Sequence, residues 1–172
     1  MLKNKCKKLC FMIGITFLSL AACDSKEEKK DTKASISPTD ILPAGVDYAT
    51  VVNPITGEKG EARKGTLAAL MVNTMELNKL LNKEKWEDKD KKKFEEIEKQ
   101  VVELIPSAKY IGIFDFFTLN EWISDSSKLG RLYVGLLALE RDKSLLTEEI
   151  KTFLKSLQIN HPLIAKKIEN LL

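Results

Sequence analysis

The chain has 172 residues, 28 of them basic and 25 acidic, with a formal net charge of +3. Four of the lysines, Lys3, Lys5, Lys7 and Lys8, crowd the amino terminus, so the rest has no bulk positive charge to offer a nucleic acid. A single histidine, His161, excludes a two-histidine zinc motif and leaves any histidine-based triad dependent on one residue.

From Leu9 to Leu20 the chain is apolar, and the run closes on Leu20-Ala21-Ala22-Cys23. A basic start, an apolar segment of about a dozen residues and a small-residue exit read as a secretory signal. The run is shorter than the roughly twenty apolar residues of a membrane span, and Asp24-Ser25-Lys26-Glu27-Glu28 ends it in charge. The four closing residues resemble the lipobox of bacterial lipoproteins. That resemblance implies that the Cys23 thiol receives a diacylglycerol, that residues 1–22 are cut away as a signal peptide, and that lipid on Cys23 is the membrane attachment. Asp24 is similar to the residue that keeps lipoproteins of enteric bacteria in the inner membrane. It implies a periplasm-facing position that leans to the inner membrane, with the outer membrane as alternative.

Removing residues 1–22 leaves 150 residues, with 24 basic against 25 acidic side chains. The positive balance of the full chain therefore belongs to the signal peptide. Cys6 and Cys10 leave with it, so neither a disulfide nor a cysteine metal site is expected in the remainder. Residues 23–45 read as a lipidated end and tether, because charges, serines and prolines alternate there without an apolar face. Residues 46–172 read as one domain.

Val46–Val52 alternates weakly and predicts an extended segment. Asn53-Pro54 predicts a turn, and Gly57, Gly60 and Gly65 punctuate what reads as a charged loop. The only other candidate strand is Tyr110–Phe114. Thr66 is the expected N-cap of a first helix with Leu67, Leu70, Met71, Leu77, Leu80 and Leu81 as its apolar stripe, and Asn73, Glu76 and Lys79 opposite. Asn82–Glu87 breaks that helix, and a second runs from Asp88 to Ile105, where Pro106 is expected to end it.

Tyr110–Phe117 is the densest apolar patch, and periodicity leaves strand and helical turn equally open. Thr118-Leu119-Asn120-Glu121 fits a capping box. Ser124-Asp125-Ser126 reads as the start of a further helix reaching Arg141, Thr147 opens the next, and Pro162 begins the last. The prediction is an all-α fold: a compact bundle of five or six amphipathic helices, with a short extended segment and loop on its N-terminal side.

Gly60-Glu61-Ala62-Arg63-Lys64-Gly65-Thr66 opens a helix as a phosphate loop would, but its lysine precedes the second glycine instead of following it. No nucleotide is expected; a weaker anion-binding role is carried by Arg63, Lys64, Gly65 and Thr66. Gly-x-Ser-x-Gly and Ser-x-x-Lys are both absent from the sequence. Asp115 and Glu121 are the carboxylates nearest aromatic residues, the pair a lytic glycosidase would need. Phe114, Phe116, Phe117 and Trp122 form the candidate partner surface wherever they reach solvent. His161, beside Pro162, is expected to act locally at a helix end.

The function these residues predict is a non-catalytic protein-interaction module of the cell envelope, held to the membrane through lipid on Cys23. Its partner would be an unidentified envelope protein, in an assembly-accessory or immunity-type role, with no cofactor, metal, nucleotide or nucleic acid. The alternatives are a peptidoglycan-modifying enzyme and a carrier of a small apolar or lipid ligand.

Overall fold

A computed structural model describes residues 47–172; the expected signal peptide, Cys23, Asp24 and the expected tether lie outside the described residues. Two strands, β1 (Tyr48–Val52) and β2 (Lys59–Arg63), precede the helices α1 (Thr66–Leu81), α2 (Asp88–Tyr110), α3 (Ile113–Phe116), α4 (Leu119–Ser124) and α5 (Leu129–Arg141). A 3-10 turn at Lys143–Leu145 then leads to α6 (Glu148–Ser156) and α7 (Pro162–Leu171). The fold is a helical bundle, as the apolar periodicity predicts, with one small two-stranded sheet.

Helix α5 is the centre of the bundle. Gly130 and every residue from Leu132 to Leu139 are buried, the mark of a helix surrounded on all sides. It packs against α1, α2, α4 and α7. Leu132, Leu136 and Leu139 are fully enclosed, and each such side chain contributes about 2 kcal/mol. Tyr133 on the same helix donates to Glu98 of α2 at 2.7 Å, and burial, then the Glu98 carboxylate, pushes its phenol well above the ordinary value. Lys167 of α7 pairs with Glu98 at 3.1 Å and Glu140 at 2.7 Å, binding the last helix to α2 and α5.

Several helix ends follow their sequence signals. Thr118 and Glu121 form the predicted capping box of α4, Thr147 accepts the Ile150 N–H at the start of α6, and Pro162 opens α7. Two other starts differ. The N-cap of α1 is Gly65, and the buried Thr66 hydroxyl instead donates back to the Arg63 carbonyl at 2.5 Å. Ser124-Asp125-Ser126 does not start α5: the Asp125 carboxylate closes a turn on the Ser127 N–H and hydroxyl, and the helix begins at Leu129.

Pro106 does not end α2, which runs on to Tyr110. A proline in a helix interior costs about 3 kcal/mol. Stopping there would uncover Ala108, which is buried, lift the Tyr110 ring off Gly60, and lose the Ser107 hydroxyl that accepts the Arg63 N–H at 3.1 Å. Burying an alanine and one face of a tyrosine ring and making one hydrogen bond contributes about 4 kcal/mol together, so the helix continues.

The second strand corrects the reading of 57–65 as a loop. β2 pairs antiparallel with β1 from Tyr48↔Arg63 to Val52↔Lys59, while Tyr110–Phe114 finishes α2 and begins the helical turn α3. Lys59-Gly60-Glu61-Ala62-Arg63 has no alternation to reveal it. Packing on α2 makes it a strand: the Tyr110 ring lies where a Cβ on Gly60 would be, 2.3 Å from its Cδ1, and Ala62 is buried.

Candidate functional site

Helix α1 turns Ala69, Leu70, Asn73, Leu77, Leu80 and Leu81 inward, with the side chain of Asn73 fully buried instead of on the wet face that the spacing predicts. Its outer face is apolar too. Leu67, Met71 and Met75, four residues apart, are 45%, 57% and 61% exposed, and that spacing places them in one row. Single exposed apolar side chains are ordinary, but a row of three on one helix makes a continuous apolar strip.

A cleft lies at each end of the row. One, of about 470 Å³, is walled by Leu67, Ala68 and Met71 on one side and by Ala49, Val51, Ala62 and Ile111 on the other, with Arg63 and Lys64 at its edge. The second, of about 390 Å³, lies between α1 and the start of α5, lined by Thr74, Met75, Asn78, Lys79, Lys128 and Arg131. The Arg131 guanidinium stands over the Trp122 ring at 5.5 Å, and that of Arg63 over Tyr48 at 5.9 Å; such cation–aromatic stacking holds a side chain in place without neutralising it. Glu76, the nearest acid on α1, already bonds Lys79 at 2.5 Å and Lys93 at 2.7 Å. Burial opposes its ionisation, but the two ammonium groups outweigh it and keep its carboxyl below the usual range.

Of the residues singled out from sequence, Arg63, Lys64, Gly65 and Thr66 come together at the first cleft. The Thr66 hydroxyl is committed to Arg63, the Lys64 N–H donates to the Asp47 carbonyl, and most of the remaining lining is apolar. The aromatic group divides: Phe114 and Trp122 are buried, their rings 5.8 Å apart, while Phe116 and Phe117 are exposed. Asp115 accepts from Asn53 at 2.7 Å and Glu121 accepts the Thr118 N–H at 2.7 Å, so each is engaged in a structural bond. Among the described residues no three His, Cys, Asp or Glu side chains gather as a metal site. The row itself was hidden in the sequence because Leu67 and Met71 count naturally into the buried stripe; the excess of apolar positions around α1 was the available signal.

A third cleft, of about 650 Å³, lies between α4 and α6 and is rimmed by Asn120, Glu148, Glu149 and Thr152. Its charge is opposite to that of the two clefts on α1.

His161 is the N-cap of α7, half-buried, with Nδ1 buried and without a hydrogen-bond partner among the described residues. Burial pushes its imidazole below the ordinary value of 6.5, against a hydrogen bond to the Leu81 carbonyl that acts the other way. The unfolded chain then takes up the proton first, so stability present above the ordinary value falls as pH drops through about 6.5. Urea unfolding at pH 7 and pH 5.5 should show that loss in the native chain and a smaller one in His161→Gln. Equal losses would remove the assignment.

The architecture is that of a small helical domain with an N-terminal hairpin, presenting an apolar helix face between two cation-edged clefts. Residues 47–142, more than half of the chain, match a family described as a domain of unknown function (DUF7709), and the chain belongs to that family. The matched span runs from the hairpin through α5 and holds both clefts on α1; α6 and α7 lie beyond it. No curated protein and no solved structure matches the chain.

Proposed function

We propose that this is a bacterial lipoprotein whose helical domain serves as a non-catalytic interaction module, binding another protein of the cell envelope through the outer face of α1. The observation that carries the reading is the row Leu67, Met71 and Met75, left exposed on a helix whose opposite face is already filled by the core. Phe116 and Phe117 add a second exposed apolar pair. Methionine side chains suit such a surface because they are flexible and polarisable. The engagement of Asp115 and Glu121 in structural bonds also favours a binding role over carboxylate catalysis. No helix among the described residues is long and apolar enough to cross a membrane, and attachment is assigned to lipid on Cys23, where two or three acyl chains suffice for lasting anchorage.

Two measurements test this. Cys23→Ser should move the full chain from the membrane to the soluble fraction, and membrane retention of that variant would refute the anchor. A photo-crosslinking residue at Met71, in the full chain in cells, should give one discrete adduct with an envelope protein. A peptidoglycan zymogram that clears with the native chain and not with Glu121→Gln would replace the module by an enzyme.

A further inference from the structure

We infer that the α1 face receives an amphipathic α-helix of the partner protein, its apolar stripe lying along Leu67, Met71 and Met75 and acidic residues at its two ends meeting the cations of the two clefts. This rests on the interaction-module reading and adds the chemistry of the partner.

Charge carries the first part of the argument. Arg63, Lys64, Lys128 and Arg131 line the two clefts together with Lys79, whose charge Glu76 already offsets, and no acidic side chain lines either. Without residues 1–22 the chain holds acids and bases in near parity, so this concentration comes from the folding of the chain and not from its composition. Lys128 is also the N-cap of α5, which sets the positive end of that helix beside the second cleft. Asp125, the acid facing this corner, is held below the usual carboxylate range first by the Ser127 hydroxyl and N–H, then by Lys128 and Arg131; it offsets part of the positive charge. Complementary charge of this kind fixes register and orientation of a partner.

Shape carries the second part. A ridge of three side chains with a hollow at either end is the relief that helix-on-helix packing fills, ridges entering grooves. A bilayer surface has no fixed ridges to occupy hollows of about 390 and 470 Å³. From Lys64 to Lys79 the face extends about 22 Å at about 1.5 Å per residue, so the partner helix needs about four turns between its acidic ends.

The test uses the full chain in nanodiscs of zwitterionic lipid and a labelled synthetic helix of about eighteen residues. Leucines follow its i, i+3, i+4 pattern and glutamates sit at both ends; a second peptide carries lysines in their place. Fluorescence anisotropy should show the glutamate peptide binding about tenfold tighter, the sum of several exposed ion pairs. Lys64→Glu combined with Lys128→Glu should reverse the preference, and Met71→Glu should abolish binding of both peptides. All three residues are exposed, so circular dichroism should be unchanged in these variants.

Equal affinity for the two peptides, binding by neither, or binding that survives Met71→Glu would overturn the inference. So would a Met71-dependent contact with phosphatidylglycerol nanodiscs in place of the peptide, or a Met71-dependent dimer in sedimentation, in which the acidic α4–α6 cleft of a second copy takes the face. Failure of the peptides with the Met71 cross-link intact removes the helix and leaves the module standing.

Discussion

Gly130→Ala is expected to lower the stability of the chain by about 3 kcal/mol, although glycine to alanine inside a helix ordinarily gains up to about 1 kcal/mol. The reversal comes from the crossing of α5 over α1. A Cβ at Gly130 would stand 2.3 Å from the Thr74 carbonyl oxygen, 2.5 Å from the Asn78 nitrogen and 2.7 Å from the Asn78 Cβ. Two of the three are backbone atoms of a packed helix, and no side-chain rotation relieves them. The Gly130 N–H, one of the first-turn donors of α5, bonds Asn78 Oδ1 at 3.1 Å, and pushing the helices apart breaks that bond as well. Overpacking contributes about 2 kcal/mol and the lost bond about 1 kcal/mol. Urea unfolding of the full chain measures the sum, with Asn78→Ala as the companion that loses the bond without the clash. A Gly130→Ala loss no larger than that of Asn78→Ala would mean that α5 moves aside freely.

Asn53→Ala is expected to cost a similar amount, about 3 kcal/mol, for a different reason. Asn53 is 2% exposed and uses both ends of its amide. Nδ2 donates to the Lys109 carbonyl at 3.0 Å and to Asp115 Oδ2 at 2.7 Å, while Oδ1 accepts the N–H groups of Ile55 and Thr56 at 2.9 and 3.0 Å. One side chain thereby shapes the hairpin turn and joins it to the end of α2 and to α3. Alanine leaves part-buried donors and acceptors without partners, each worth about 1 kcal/mol or more. Asn53→Asp keeps the shape but sets a carboxylate against Asp115 and a carbonyl. Relative to Asn53→Ala it should recover stability on acidification, when the introduced carboxyl takes up a proton and can donate again. A deficit of Asn53→Asp that ignores pH would break the assigned contact with Asp115.

Local signals with their own geometry were legible in the chain. The turn at Asn53-Pro54, the Thr118–Glu121 box, Thr147 and Pro162 each act within three or four residues, where nothing distant overrides them. The central helix was legible as well, since a segment from Leu129 to Leu139 so rich in leucine has nowhere else to go. β2 was not legible: Gly60 and Ala62 matter there for what they leave room for, the Tyr110 ring and the hydrophobic core, and small residues announce no partner. Pro106 misled because its local penalty is real but smaller than the burial gained by passing through it. The candidate face was half legible. Arg63 and Lys64 read as an anion site, whereas Leu67 and Met71 read as part of the buried stripe and Met75 carried no signal, because a helix with apolar residues around most of its circumference does not declare which of them face water.

By itself, then, the order of residues determined that the chain folds as helices and where most of them begin; both rest on interactions between near neighbours. Only the packed structure decided which face of α1 stays bare, that five scattered cations converge on the clefts beside it, and that Asn53 and Gly130 bear weight far beyond their neighbourhoods. Those outcomes depend on groups brought together across dozens of residues, where the competition for burial is settled by the whole core and not by any segment of it.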